Sequence, residues 1–352
     1  MRQVGIVTLF KVHNLGAVLQ AYAMKTVIEN LGYKPIFINS YDKKFSVALF
    51  RGDMKGLSRI YTIPHFFKKY KKFRNCFSLF KTIDSVDDDI RNMHAIVLGS
   101  DSIWTPSYAN IPTPPPFFGG EINNKHIFTY AVSNGGIEDI NLYSKYQLQH
   151  LQKLQSISVR DNTTKNFIKN AIGHDSIVVP DPTLLVDWKR QESIQPISCN
   201  LPQDRYILVY GCSRINACAI KRFAKKNGYK KIINIGPFSI KYPLFAENLA
   251  VSPLEFVEYI RNADLVFSGM FHGVMMSIAL KKDFYYMSID ENRDKKLSTT
   301  LEILGMKDRV IHQPCEWPAN FTCCKYDMIQ NGLSKFRRQG MEFIQENLEQ
   351  TI

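Results

Sequence analysis

Short apolar runs of strand character alternate with longer helical patterns along most of this chain, and no other property narrows its fold as much. The runs at residues 4–9, 35–38, 95–98, 127–132, 156–159 and 177–179 are rich in Val and Ile, and each leads into a turn or a helix pattern. The first helix is expected over 17–31; Gly32 stops it and the strand at 35–38 follows, which makes a compact βαβ unit. Strands joined by crossover helices lie parallel, so the expected class is α/β. After a polar stretch at 187–203 that holds two prolines, the rhythm resumes with strands at 206–210, 231–235, 265–268 and 284–287. That break and the length of 352 residues predict two α/β domains, 1–190 and 191–330, followed by a helical segment at 331–352.

Composition excludes several classes. A hydrophobic share of 45% with 22% charged residues suits a chain that folds throughout. No stretch approaches the ~20 apolar residues of a bilayer span. The apolar run after Arg2 reads as a first strand, not a signal, so the expected location is cytoplasmic. Seven cysteines without a CxxC pair read as reduced thiols; Cys315, Cys323 and Cys324 match no standard metal site. The net charge of +13 favours anionic partners, whether nucleic acid, phosphorylated metabolites or an anionic membrane face. Between 59 and 80, Ile60, Phe66, Phe67, Tyr70, Phe73, Phe77 and Phe80 recur at helical spacing against Lys68, Lys69, Lys71, Lys72 and Arg74. The pattern suits either a core-facing helix with solvated lysines or a membrane-surface helix. A nucleic-acid arm is less favoured, since no nucleic-acid motif accompanies it. The prolines at 112, 114, 115 and 116 predict a surface loop.

Five segments carry a more specific signal. They are Asn14-Leu15-Gly16-Ala17-Val18-Leu19-Gln20, Leu98-Gly99-Ser100-Asp101-Ser102-Ile103-Trp104, Ile157-Ser158-Val159-Arg160-Asp161, Asp181-Pro182-Thr183-Leu184-Leu185, and Ala263-Asp264 leading to Phe271-His272-Gly273. In order and spacing they resemble the polysaccharide pyruvyl transferases over most of residues 4–304. The chain departs from that family at Ser102 and Thr105, where Gln and Asn are usual, and at Met270, where some members carry Arg.

Each segment also has its own physical reading. Asn14 and Gly16 lie between a strand and a helix, where free amides would favour an anion or a sugar hydroxyl and Gly16 would let a ligand approach; an ordinary N-capped turn is the alternative. Ser100 and Asp101 follow a strand at the carboxyl edge where ligands of parallel sheets collect. Asp101 could orient an acceptor hydroxyl or cap a turn; Trp104 could pack on a sugar or in the core. Arg160 ends a short strand, placed to hold phosphate or carboxylate or else to pair with Asp161 or Asp181. His272 opens the apolar helix expected at 274–280, with Gly273 beside it, where an anion would keep it protonated. Arg214, and Arg293, Lys295 and Lys296 before a helix at 297–304, are further basic candidates or simply solvated.

The resemblance implies two doubly wound, Rossmann-like domains in a GT-B-like arrangement, with the site in the cleft and residues 333–348 packing back on the first domain. The first domain would hold the acceptor and the second the donor. It implies pyruvyl transfer from phosphoenolpyruvate to two hydroxyls of a lipid-linked or free saccharide in surface or capsular polysaccharide synthesis, with no cofactor, no nucleic acid and peripheral contact with the inner membrane face. His272 and Arg160 would be catalytic; Asn14, Gly16, Gln20, Ser100, Asp101, Trp104, Arg214, Phe271, Gly273 and Lys296 would bind substrate. A glycosyltransferase using a nucleotide sugar is the main rival, and a non-catalytic saccharide- or membrane-binding module a second.

Overall fold

The computed structural model describes residues 1–40, 44–47, 49, 63–84, 88–108, 110–188, 199–235, 245, 247–312, 317 and 322–350. Its first sheet contains β1 (Gln3–Val7), β2 (Lys34–Asn39), β3 (Thr82–Asp84), β4 (Ala95–Leu98) and β5 (Ile127–Thr129), in the order β3-β2-β1-β4-β5 with every pairing parallel. Isolated bridges from Phe128 to Ser156 and from Val132 to Val159 continue it into a parallel pair, β6 (Ser158–Val159) and β7 (Ile177–Val178). The second sheet contains β8 (Tyr206–Tyr210), β9 (Lys231–Ile235), β10 (Glu247–Leu249), β11 (Leu265–Ser268), β12 (Phe284–Met287) and β13 (Val310–Ile311), ordered β10-β9-β8-β11-β12-β13 and again all parallel. Each sheet therefore reverses its winding once, between β1 and β4 and between β8 and β11. Ligands of doubly wound sheets collect at the carboxyl ends of such strand pairs.

The helices are α1 (Leu15–Asn30), α2 (Ile63–Phe77), α3 (Lys145–Leu151), α4 (Asn162–Ile172), α5 (Arg214–Lys226), α6 (Pro253–Asn262), α7 (Phe271–Ala279), α8 (Glu291–Ile303) and α9 (Tyr326–Glu349). Helix α1 carries little polar surface in Leu15-Gly16-Ala17-Val18-Leu19, and 13 of its 16 residues are buried, so it must be covered on more than one side. It touches α6, α7 and the 3₁₀ turn Pro182–Leu184, and Tyr22 stacks on Trp188 beyond that turn. The second half of the chain thus closes over a helix that belongs to the first sheet.

Helix α9 returns to the first sheet. Tyr33 and His94 both donate to the Leu348 carbonyl, Gln339 donates to the Val178 carbonyl, and Gly340 sits against Tyr130 and Pro180. Several expected boundaries move. Helix α8 starts six residues earlier than expected because Asp290 caps it, accepting from the Arg293 amide at 2.9 Å; Arg293 and Lys296 therefore lie within the helix and not before it. The proline run is no simple surface loop: Pro114 and Pro116 are buried, and the 3₁₀ turn Pro115–Phe118 drives Phe117 and Phe118 into the core. In α2, Phe73 and Cys76 are buried, as the core-facing alternative requires, while Phe67 and Tyr70 stay exposed beside Lys68 and Lys71. Ile60 and Cys315 lie outside the described residues; Cys323 is exposed and Cys324 buried. Among the described residues no helix is long and apolar enough to cross a membrane.

Candidate active site

A cavity of about 440 Å³ lies where the two switch points face each other. Leu9, His13 and Asn14 reach it from the turn after β1, and Asp101, Ser102 and Thr105 from the turn after β4. Tyr210 arrives at the end of β8, and Met270, Phe271 and His272 come after β11. Arg160 follows β6, and α8 contributes Arg293 and Lys296. A larger cavity, about 580 Å³, opens beside Glu121, His150, Lys153 and Asn347, but none of the expected site residues lines it. The switch-point cavity, which gathers the expected residues, is therefore the candidate site.

Arg160 is almost fully buried. Its Nη1 lies 3.4 Å from Asp181 Oδ2 and its Nη2 3.4 Å from Asp101 Oδ1; Nη2 also donates to Ser102 Oγ at 2.9 Å. The guanidinium stacks 4.4 Å above the Phe271 ring, a cation–π contact that fixes its plane. Asp181 reaches in the other direction to His272, whose Nε2 is 3.5 Å from Oδ2, an ion-pair separation that falls short of hydrogen-bond geometry. Burial, the largest single influence on the Asp181 carboxyl, would raise it. His272, Arg160 and the Thr183 hydroxyl together outweigh burial and hold it at about 2, so it is a carboxylate at any ordinary pH. One buried anion thereby fixes both residues expected to be catalytic.

His272 also explains Gly16. A Cβ on Gly16 would stand 2.0 Å from His272 Nδ1 and 2.3 Å from its Cγ, so the glycine makes room for the imidazole and not for a ligand. This corrects the expectation for Gly16. The free amides expected beside it are also taken: Asn14 Oδ1 accepts from Gly16 and Ala17 at 3.0 and 3.2 Å, leaving Asn14 an N-cap at the cavity rim.

Other expected contacts move out of the site. Gln20 is fully buried; its amide nitrogen donates to Thr8 Oγ1, the Leu9 carbonyl and the Ala17 carbonyl, and its oxygen accepts from Ser100 at 2.8 Å. Ser100 is equally buried, so this pair braces the turns after β1 and β4 from beneath. Trp104 lies in the core with its indole N–H donating to the Phe117 carbonyl at 3.0 Å, and no sugar can reach its face. Gly273 packs against Ser268 and Tyr210 instead of a ligand. Arg214 opens α5, and its side chain lies outside the described residues.

Asp101, Arg160, Phe271, His272 and Lys296 do converge. Asp101 holds a left-handed backbone at φ 81°, accepts from the Ser102 amide at 2.7 Å, and is bridged to Val132. A non-glycine residue in that region is locally strained, a cost met most often at functional sites. Lys296 has no ion-pair or hydrogen-bond partner among the described residues. Burial lowers its ammonium, and Arg160 adds to that effect. Arg293 pairs with Asp290 at 2.9 Å and turns Nη1 to within 3.4 Å of the Met270 sulfur. Arg293 and Met270 thus meet at the position where some members of the resembled family have an arginine.

From the sequence, His13 and Tyr108 are left out of the site, Arg293 stands only as one of several basic candidates, and Asp181 has no catalytic part. His13 precedes the Asn14 cap directly, Arg293 is visible as part of a basic run, and Asp181 opens one of the five family-like segments. Tyr108 carries no such signal; it donates to the Ser102 carbonyl, and burial with the Asp101 charge keeps its phenol protonated.

The family model for polysaccharide pyruvyl transferases matches residues 14–291, well over half of the sequence. This chain belongs to that family. No curated protein matches it significantly. Among solved structures, the UDP-GlcNAc 2-epimerase of Neisseria meningitidis bound to UDP-GlcNAc is similar over 99% of both chains, at 11% identity and a TM-score of 0.50. The Methanocaldococcus jannaschii UDP-GlcNAc 2-epimerase covers 100% of this chain with 94% of its own, at 11% identity and a TM-score of 0.46. What is shared with the Neisseria meningitidis structure is the fold, the GT-B arrangement of two parallel-stranded sheets with helices around each.

Proposed function

We propose that the protein transfers the pyruvyl group of phosphoenolpyruvate to two hydroxyls of one sugar, forming a pyruvate ketal in a polysaccharide precursor. The observation that carries this reading is the convergence of Arg160, Arg293, Lys296 and His272 in one cavity, in a chain of this family. Phosphoenolpyruvate presents a phosphate and a carboxylate close together. A fixed, stacked guanidinium and a half-buried ammonium that pairs directly with no carboxylate among the described residues match such a ligand electrostatically.

In the proposed sequence, His272 gives a proton to the methylene carbon and C2 becomes electrophilic. A first sugar hydroxyl adds there, with Asp101, a carboxylate that lines the cavity, to take its proton. The C2–O bond to phosphate then breaks as the proton held by Asp101 passes to the leaving phosphate, phosphate departs among the cations, and the second hydroxyl closes the ketal, its proton restoring His272. Asp181 stays charged throughout and holds His272 and Arg160 in register, a positioning role.

Phosphate release from phosphoenolpyruvate, measured with and without galactose- and mannose-type acceptors, tests the proposal. Release that depends on an acceptor and disappears in His272→Ala supports it. Tight binding of a nucleotide sugar with no binding of phosphoenolpyruvate would move the protein to the glycosyltransferases of this fold.

A further inference from the structure

Among the described residues, helix α2 is tied to the protein through one side. Phe73 and Cys76 are buried, and Lys72 joins α6 of the other half through Glu255 at 2.6 and 2.7 Å. Its outer face carries Phe67, 62% exposed, with Lys68, Lys71 and Arg74. The helix, Ile63-Pro64-His65-Phe66-Phe67-Lys68-Lys69-Tyr70-Lys71-Lys72-Phe73-Arg74-Asn75-Cys76-Phe77, contains no acidic residue. None of Lys68, Lys71 and Arg74 pairs with a carboxylate among the described residues. A globular surface ordinarily mixes both signs of charge, so three unpaired cations around a solvent-exposed phenylalanine call for a negatively charged, partly apolar partner.

We infer that this face docks on an anionic lipid surface, with Phe67 entering the headgroup layer and the three cations meeting lipid phosphates. The helix has the features of an in-plane interfacial helix: basic residues on its polar side and an aromatic residue to insert. Unlike a free amphipathic helix, it spends Phe73 on the core, so electrostatics provide most of the attraction.

The docking face also lies beside the candidate active site. Tyr70 stacks on His13 at 4.6 Å between ring centres, and His13 lines the cavity. A protein docked through α2 would thus hold the rim of its cavity close to the membrane, where a saccharide carried on a lipid would be met. That consequence rests on the function proposed above; the docking itself does not.

Vesicle co-sedimentation of the full-length chain tests the docking without any turnover. Phosphatidylcholine vesicles with and without about a third phosphatidylglycerol serve as probes, at low and high salt. Phosphate release by each variant with a water-soluble acceptor checks that folding and the cavity are intact. Binding is expected on the anionic vesicles alone, weakening as salt rises. The triple variant Lys68→Ala, Lys71→Ala, Arg74→Ala should lose about a hundredfold in partitioning, at roughly fivefold per charge. Phe67→Ser should weaken binding without changing its salt dependence. No binding to anionic vesicles, equal binding to neutral ones, or a triple variant that sediments like the wild type would overturn the inference. So would loss of affinity for a nucleic-acid oligomer in the triple variant with vesicle binding unchanged.

Discussion

Replacing Asp181 with asparagine removes one charge and little volume from the point where His272 and Arg160 meet. The amide can still accept from the Thr183 amide and hydroxyl, which now lie 3.1 and 2.7 Å from Oδ1. What disappears is the counter-charge of a buried guanidinium and of its neighbouring imidazole. Asp181 sits at about 2 in the folded protein against an ordinary 3.8, and at ~1.4 kcal/mol per pH unit that difference corresponds to about 2 kcal/mol. Breaking a buried pair by deleting one partner typically costs ~3–5 kcal/mol, so a loss of ~2–5 kcal/mol is expected near neutral pH. The sign with pH follows from the depressed value. The contribution is complete above the unfolded carboxyl's range and is lost as pH falls through about 2, so wild type and variant should converge in acid. Urea unfolding followed by tryptophan fluorescence suits the measurement, because Trp188 is buried and its indole donates to the Thr183 carbonyl beside the substitution. A variant within ~0.5 kcal/mol of wild type at neutral pH, the usual range of inconsequential surface changes, would refute the reasoning. A difference that persists undiminished in acid would do the same.

Three further outcomes follow from the cavity. Gly16→Ala places a methyl group against the His272 ring and should cost ~1–3 kcal/mol of stability while lowering turnover to the level of His272→Ala; full activity would show that the ring moves freely. Lys296→Gln should weaken phosphoenolpyruvate binding, and because burial lowers this ammonium, wild-type affinity should decline at lower pH than an exposed lysine would dictate, with Lys296→Arg restoring the alkaline limb; calorimetry across pH reads both. Trp104→Phe orphans the Phe117 carbonyl and should destabilise by ~1–3 kcal/mol with KM for the acceptor unchanged; a raised acceptor KM would return the indole to the site.

The alternation of apolar runs and helices is enough to anticipate parallel sheets, because buried parallel strands read as continuous Val- and Ile-rich segments. Strand ends are legible too, and they place Arg160, Asp101 and His272 at carboxyl edges on sequence alone. Residue type does not separate a ligand contact from a brace behind it. Gln20, Ser100 and Trp104 belong to the same motifs as Asp101, and only burial distinguishes them: their polar atoms are consumed by Thr8, by each other and by Phe117. Gly16 reads as space for a ligand because the sequence does not show that a histidine from the other half occupies that space. Asp181 depends on Arg160 and His272 meeting in three dimensions. Arg293 reads as lying before its helix unless Asp290 is recognised as the cap.

Pyruvyl transfer is distinguished from its rivals by the bond of the donor that breaks. Phosphoenolpyruvate carrying oxygen-18 in the atom that bridges C2 and phosphorus, incubated with the protein and a competent saccharide, distinguishes the possibilities directly. Ketal formation cleaves the carbon–oxygen bond, so the label should leave in inorganic phosphate, in equal amount to the pyruvate ketal formed. Label retained in free pyruvate, with phosphate released by attack at phosphorus, would contradict pyruvyl transfer and with it the proposed roles of His272, Arg160 and Lys296.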